Sequence, residues 1–339
     1  MLDDGVLLIG HGSREPGANA EFEALAADYR ARHPEWCVET AYIELAAPLV
    51  QDALTQLAGR VRRLTVVPVF LFAAGHVKND LPLALERARL AFPGTRFVVS
   101  PALGVHPRLA ELAFRRVDEA MQSCGARPES TLLLVVGRGA SDPDANGDFY
   151  KMARLIAEGR GLLHVEAAFM GITQPSVPRA LEWIARLRPP RLLVLPYLLF
   201  GGRLVTKLAQ QIDEFCARHP WIVGSMASYL GQHELLLDLI EERVSQARAG
   251  AVLLPCDNCQ YRVGLPGRAS EVGGLRALLY SVRHSLTHSD VQAPEHRHRP
   301  LRKHVLVCGN ADCVDRGSIV LLETLRRELK QLGRARDIL

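Results

Sequence analysis

The chain contains the same pattern twice, and this internal repeat restricts its fold more than any other feature of the sequence. Three segments recur in the same order: GHGSREPGANAEF at 10–22 with GRGASDPDANGDF at 137–149, AYIELAAP at 41–48 with AFMGITQP at 168–175, and VVPVFLFAAGH at 66–76 with VLPYLLFGGR at 194–203. The first two pairs share an offset of 127 residues, and the third needs a one-residue gap. Recurrence at a nearly fixed period predicts a tandem duplication of one domain of about 125 residues.

Within each repeat, apolar runs alternate with segments of helical periodicity. In the first repeat we predict strands at 6–9, 38–43, 64–72 and 96–99, and helices at 18–33, 47–60, 77–92 and 106–123. Strands that alternate with helices of this length are typical of βαβ units. The predicted fold class is therefore α/β, with two tandem duplicated domains, each a parallel sheet flanked by helices, and a small cysteine-containing C-terminal segment.

Composition changes after the second repeat, and this change sets the predicted domain limits. We predict a first domain at 1–125, a second repeat at 126–248, a segment with a CxxC motif and a histidine-rich linker at 249–303, and a last segment at 304–339.

Two histidines distinguish the first repeat from the second. His11 and His76 each follow the carboxyl end of a predicted strand, and Arg138 and Arg203 take their places in the second repeat. In an open parallel sheet, ligands bind at this edge. Because both histidines are replaced together while the glycines beside them persist, we predict that they act as a pair. Two neutral imidazoles facing one crevice bind a divalent ion such as Co²⁺, Fe²⁺ or Ni²⁺, and an imidazole also accepts a proton near neutral pH.

Charged residues near the histidines are candidates for the same crevice. Glu44 ends the second strand, where the second repeat has Gly171. Its carboxylate is a candidate metal ligand or proton relay, with a solvated strand end as the alternative. Arg14 and Lys78 follow the two histidines and are candidates for pairing with substrate carboxylates, with ordinary solvated cations as the alternative.

The small residues around His11 suit a large flat ligand. Gly10 and Gly12 carry no Cβ that would stand between the backbone and such a ligand. Gly12 and Ser13 also precede a predicted helix, whose N-terminal amide groups favour an anionic substituent.

The charge balance favours a small acidic ligand over a nucleic acid. The net charge is only +4, and the basic residues are scattered along the chain rather than gathered in one tract. We predict no membrane span, because no apolar run reaches about 18 residues. The N-terminus lacks the pattern of a signal peptide, which together with the cysteine usage predicts a cytoplasmic protein.

Four cysteines form two close pairs near the C-terminus. Cys256 and Cys259 make a CxxC motif, and Cys308 and Cys313 are five residues apart. The segment HVLVCGNADCVDRGS at 304–318 resembles the start of thioredoxin-like [2Fe–2S] ferredoxins, but the chain lacks their last cysteine pair. The four thiolates are candidate ligands of a [2Fe–2S] or [4Fe–4S] cluster or of zinc, with no metal as the alternative.

The motifs LLIGHGSR at 7–14 and VVPVFLFAAGHVKNDLP at 66–82, together with the duplication, resemble the sirohydrochlorin cobaltochelatase family of class II tetrapyrrole chelatases. The likeness is to the long form, in which two chelatase domains lie on one chain. It implies a lyase-type enzyme that inserts Co²⁺, its substrate metal, into sirohydrochlorin in cobalamin biosynthesis. It also implies that His11 and His76 bind the metal, that His11 accepts a proton, and that the 71–76 loop borders the macrocycle.

The predicted site has three catalytic residues and twelve substrate-binding residues. The predicted catalytic residues are His11, His76 and Glu44. The predicted substrate-binding residues are Gly10, Gly12, Ser13, Arg14, Leu71, Phe72, Ala73, Ala74, Gly75, Lys78, Arg138 and Arg203. The expected partner is a tetrapyrrole, and a fused pair of domains is expected to be a monomer with an internal pseudodimer.

Three other functions compete with cobalt insertion. Iron insertion for sirohaem uses nearly the same framework, so a ferrochelatase is one alternative. A non-catalytic metal carrier that uses the cysteine pairs and the histidine-rich linker is another. A histidine phosphatase normally has an arginine directly before its histidine, and this chain has Gly10 there.

Overall fold

The computed structural model describes residues 2–250 and Arg327. Residues 2–250 lie in one compact unit. The candidate cluster ligands Cys256, Cys259, Cys308 and Cys313 lie outside the described residues, as does nearly all of the segment predicted at 249–339.

Residues 2–250 form two parallel sheets with helices on both faces, which confirms the predicted α/β class and the duplication. The strands are β1 Leu2–Gly10, β2 Cys37–Tyr42, β3 Val61–Pro68, β4 Arg96–Val99, β5 Thr131–Gly137, β6 His164–Phe169, β7 Arg191–Pro196 and β8 Val223–Met226. The helices are α1 Pro16–Arg32, α2 Val50–Ala58, α3 Leu81–Ala91, α4 Pro107–Ser123, α5 Pro143–Ala157, α6 Val177–Leu187, α7 Arg203–Arg218 and α8 Glu234–Ala249. The strand orders are β2-β1-β3-β4 and β6-β5-β7-β8. In this part of the chain, no helix is long and apolar enough to cross a membrane.

Two predicted elements differ from the structure on either side of the 69–75 loop. The third strand ends at Pro68 rather than at residue 72, because its neighbour β1 ends at Gly10. The amide of Val69 still donates to the carbonyl oxygen of Ile9 at the end of β1. The apolar run therefore continues as a loop. The helix predicted at 77–92 is divided into a turn of π helix, His76–Asp80, and α3, which begins where Pro82 removes a backbone donor.

The central strands alternate their side chains between two cores. In β1, Val6 and Leu8 face the interior shared by the two repeats, and Leu7 and Ile9 face an outer core under α2 and α3. The corresponding strand β5 is divided in the same way, with an outer core under α6 and α7. Strands buried on both faces carry unbroken runs of apolar residues, as β1 does over 6–9 and β5 over 132–136.

The repeats exchange their last helices. Helix α4 of the first repeat lies against β7 of the second, and α8 of the second lies against β3 and β4 of the first. One apolar core therefore runs through both repeats and includes Leu109 and Leu112 of α4 and Leu239 and Ile240 of α8. The boundary predicted between 125 and 126 divides the sequence repeat, but the core continues across it.

Two equivalent arginines fix this exchange. Arg243 on α8 donates to the carbonyl oxygens of Ala102 and Leu103, and Arg116 on α4 donates to the carbonyl oxygen of Leu230. Arg116 and Arg243 are 127 residues apart, as are Leu103 and Leu230. The same contact made in both directions is the property of a two-fold related interface, so the two repeats form a pseudodimer within one chain.

Candidate metal and substrate site

Three potential metal ligands meet at the carboxyl ends of β1, β2 and β3. His11, Glu44 and His76 each bring a ligand atom within 4.8 Å of the others, and within the described residues they are the group of three that does so. The two imidazole rings are 5.1 Å apart and perpendicular. Two imidazoles and one carboxylate suit borderline divalent ions such as Co²⁺ and Fe²⁺, and leave coordination positions open.

Backbone contacts bring Glu44 beside His11. The amides of Ile43 and Glu44 donate to the carbonyl oxygens of Gly10 and His11, at 3.0 and 3.1 Å, and so extend the ladder between β1 and β2 past the sheet edge. Gly12 makes this approach sterically feasible. Its φ is +88°, and a Cβ there would lie 1.8 Å from the carbonyl oxygen of Glu44.

The close contact at Gly12 predicts that an alanine there would disturb the site. We expect Gly12→Ala to separate the loops that carry His11 and Glu44, lowering both stability and metal affinity. Gly139 is a matched control, since its φ is also +88° and its Cβ would meet the carbonyl oxygen of Gly171. Gly139→Ala is therefore expected to lower the free energy of unfolding about as much as Gly12→Ala does, by about 1–3 kcal/mol or more. It should leave cobalt affinity unchanged. Thermal unfolding and cobalt titration of both variants measure the difference.

The hydrogen bonds of the two histidines leave the same nitrogen free on each ring. Nδ1 of His11 donates to the carbonyl oxygen of Gly12 at 3.2 Å, and Nδ1 of His76 donates to the carboxylate of Asp80 at 2.7 Å. Both Nε2 atoms therefore carry the lone pair. A carboxylate or carbonyl bonded to the far nitrogen is the usual arrangement of a metal-binding histidine.

The surroundings of His11 favour its neutral form. Its Nε2 is buried without a hydrogen-bond partner and lies 3.7 Å from Oε1 of Glu44, too far for a hydrogen bond. Burial, and then the positive charge of Arg138, lower the pKa of His11 below its ordinary value. The imidazole is therefore neutral at neutral pH, and its lone pair is available.

A cavity of about 520 Å³ opens beside the three ligands and is lined by both repeats. Its walls are mostly apolar, with Phe22 and Phe72 from the first repeat and Phe149 and Phe200 from the second. A cavity of this size, with few polar groups at defined points, is typical of small-molecule sites.

Ten of the residues predicted for the site line this cavity. They are Gly10, His11, Gly12, Ser13, Leu71, Phe72, Ala74, His76, Arg138 and Arg203. Glu44 is not part of the lining, but it lies beside the two histidines. Arg14, Ala73, Gly75 and Lys78 are outside the lining, and Arg14 and Gly75 are exposed.

The positions of the lost histidines carry the exposed arginines Arg138 and Arg203. Within residues 2–250, neither guanidinium forms an ion pair with a carboxylate. The first repeat therefore contributes His11 and His76 to the lining, and the second repeat contributes two arginines at the equivalent positions, so the two walls are related by the repeat but differ in chemistry.

Lys78 has a partner that the sequence did not reveal. Its Nζ lies 2.7 Å from a carboxylate oxygen of Asp142 and 2.9 Å from one of Asp144, both in the second repeat. Because these two carboxylates already neutralise its charge, the expectation that Lys78 pairs with substrate is not what the structure shows.

Contacts within the protein also involve Gly10 and Ser13, which both line the cavity. A Cβ on Gly10 would meet the ring of Phe22 at 3.0 Å, so packing within the protein, rather than a ligand, excludes a side chain there. The amide of Ser13 is bonded to the side chain of Asn19 at 2.9 Å, which leaves it no free bond for an anion.

Two functional candidates escaped the sequence argument. The Asn19 side chain braces the loop after β1 by bonding both the amide and the carbonyl of Ser13, and Asn146 does the same in the second repeat. The identity of this residue in both repeats was the available signal. Tyr197 is buried in the cavity wall, and its hydroxyl lacks a partner among the described residues. Burial raises the pKa of Tyr197, and the first repeat has Val69 at that place.

The sequence is similar to a known family of chelatases. The CbiX family model matches the chain twice, over residues 5–120 and 132–247. A sirohydrochlorin cobaltochelatase from Priestia megaterium is 35% identical over 77% of the chain and 85% of that protein. A sirohydrochlorin ferrochelatase from the same organism is 25% identical over 71% of the chain and 89% of its own length.

A solved structure gives the same fold. The structure of SirB from Bacillus subtilis with Fe³⁺ superimposes with a TM-score of 0.64 at 24% identity, and covers 74% of this chain and 97% of that one. The double match of the family model accounts for the two repeats, and it confirms the resemblance seen in the sequence. The chain therefore belongs to the CbiX family of sirohydrochlorin chelatases and carries two copies of the family domain.

Proposed function

We propose that the protein inserts Co²⁺ into sirohydrochlorin and releases two protons, in the biosynthesis of cobalamin. The observation that carries this proposal is the convergence of His11, Glu44 and His76 on the wall of an apolar cavity. The cobaltochelatase relative at 35% identity favours cobalt over iron, since the ferrochelatase relative is 25% identical.

The three ligands suit a metal that must be given up. Co²⁺ bound by His11, His76 and Glu44 keeps open positions, so pyrrole nitrogens of the macrocycle can enter the coordination sphere before the protein ligands leave. Four thiolates would hold the ion too tightly for this exchange.

The metal ligands can also accept the protons that the macrocycle releases. Insertion breaks two ring N–H bonds and forms metal–nitrogen bonds, so two protons must leave the macrocycle. Once the ion passes to the ring, Nε2 of His11 regains a free lone pair close to the reacting face and accepts one proton, and the carboxylate of Glu44, released at the same time, accepts the other. Glu44, whose side chain is 45% exposed, connects this position to solvent.

The second repeat supplies substrate binding. The apolar walls contact the faces of the flat macrocycle, while Arg138 and Arg203 bind carboxylates at its rim. Because the arginines belong to one repeat and the metal ligands to the other, both repeats take part in binding the macrocycle in the cavity.

Anaerobic incubation with sirohydrochlorin and either Co²⁺ or Fe²⁺ tests the proposal. We expect the absorbance change of metal insertion to be faster than with metal alone, and faster with Co²⁺ than with Fe²⁺. A variant that ends at residue 250 is expected to keep turnover, since it retains the cavity and all three ligands. Faster insertion of Fe²⁺ would make the protein a ferrochelatase, and metal binding that needs the residues after 250 would make it a carrier.

A further inference from the structure

One short turn joins the metal site to the second repeat. The π turn His76–Asp80 begins with the metal ligand His76, and Asp80 orients the ring of His76. Between them, Val77 is buried and Lys78 reaches across to the acids at the start of α5. Its neighbour Asn79 is exposed. The turn therefore has one apolar anchor, Val77, and one ionic anchor, Lys78.

The ionic anchor is built and partly enclosed. The Lys78 side chain is 20% exposed and that of Asp142 is 14% exposed. Asp142 is itself fixed, because its side chain accepts a bond from the amide of Asp144 and so caps α5. A cation held by two carboxylates, one of them exposed but the other partly enclosed and fixed in place, restricts the turn more than a solvated surface pair does.

The opposite rim of the cavity lacks this device. The residue equivalent to Lys78 in the second repeat is Val205, and the residue equivalent to Asp144 is Gly17. That rim is joined instead by Glu21, which accepts a bond from the amide of Gly201 at 3.1 Å. The ionic anchor thus occurs on the side of the pseudodimer that has kept its metal-binding histidine.

We propose that Lys78 is a positioning residue for cobalt binding. By holding Asp142 and Asp144 it keeps the π turn in place, so that His76 keeps a ligand atom close to those of His11 and Glu44. This inference rests on the proposed function and extends it: the second repeat completes the metal site without contributing a ligand.

Cobalt affinity of the full chain in the absence of tetrapyrrole tests the inference. We expect Lys78→Met to weaken Co²⁺ binding by about tenfold, as loss of an orienting contact typically does. In the insertion assay we expect the KM for Co²⁺ to rise, kcat at saturating Co²⁺ to be largely kept, and the KM for sirohydrochlorin to stay the same. Lys78→Arg should restore most of the affinity, because a guanidinium also bonds two carboxylates.

A matched control comes from another ion pair between the repeats. Arg32 on α1 binds both Glu234 and Asp238 on α8, and it lies outside the cavity lining. Arg32→Met is expected to lower the melting temperature about as much as Lys78→Met and to leave cobalt affinity unchanged.

The inference and the proposed function fail in different ways. Wild-type cobalt affinity in Lys78→Met, or a rise only in the KM for sirohydrochlorin, would overturn the positioning role and leave the chelatase intact. The double variant Asp142→Asn with Asp144→Asn should weaken cobalt binding as much as Lys78→Met does. Combining it with Lys78→Met should weaken cobalt binding no further, because both remove the same contact. Wild-type protein that inserts neither metal would instead refute the proposed function.

Discussion

His11→Ala is expected to lower the rate of cobalt insertion by about 100-fold or more, because it removes both a metal ligand and a proton acceptor. The loss should appear in kcat as well as in the KM for Co²⁺, since the same nitrogen serves before and after the ion moves. The orphaned and buried Nε2 of His11 is the structural reason. Stopped-flow absorbance under anaerobic conditions, with Co²⁺ varied at saturating sirohydrochlorin, measures both constants.

Arg138→Ala is the natural control, because Arg138 occupies the place of His11 in the second repeat. It should raise the KM for sirohydrochlorin without the loss of Co²⁺ binding expected of His11→Ala, since it keeps all three metal ligands and removes only a positive charge that acts on His11. If Arg138→Ala abolished insertion while His11→Ala kept the normal rate, catalysis would belong to the second repeat and the assignment given above would be wrong.

The second large effect concerns the isolated first repeat. A fragment of residues 1–125 is expected to form no folded monomer, because α4 would lose the surface of β7 and β3 would lose α8. Leu109 and Leu112 on α4 are fully buried in the shared core. Exposing each of them costs about 1.5–3 kcal/mol, which is a large fraction of the stability of a small domain.

Co-expression provides the test of this expectation. Residues 1–125 produced together with residues 126–339 should reassemble and regain cobalt insertion, since the exchanged helices then find their sheets. Analytical ultracentrifugation and circular dichroism of the first fragment alone measure its state. A monomer that unfolds cooperatively at a temperature independent of concentration would contradict the exchange as a requirement for folding.

The internal repeat was enough to predict the fold class, and the positions at which its two copies differ were enough to select candidate metal ligands. Strand-to-helix alternation gives α/β directly, and the edge rule places His11 and His76 at the carboxyl ends of parallel strands. The predicted strand that ran to residue 72 was too long because the loop after Pro68 is as apolar as a strand. Its Leu71 and Phe72 line a cavity instead of a sheet.

The helix exchange and the Lys78 anchor lay beyond the sequence. Periodicity along a helix shows which face is apolar, but it does not show which of two similar sheets that face covers. The sequence did not reveal the role of Arg116 and Arg243, because an arginine that bonds carbonyl oxygens inside the protein cannot be told from a surface arginine in a sequence. The partners of Lys78 are more than 60 residues away in the chain.

The reciprocal contact of Arg116 and Arg243 has a consequence for how such a chain evolves. In a dimer of identical subunits, every mutation alters both halves, so a change that removes a histidine from one wall removes it from the other. Covalent joining frees each half to vary by itself, while the exchanged helices keep the halves together as one cooperative body. A substitution that strengthens binding of an acidic macrocycle, such as histidine to arginine, can then occur in one half without removing the metal ligands of the other half.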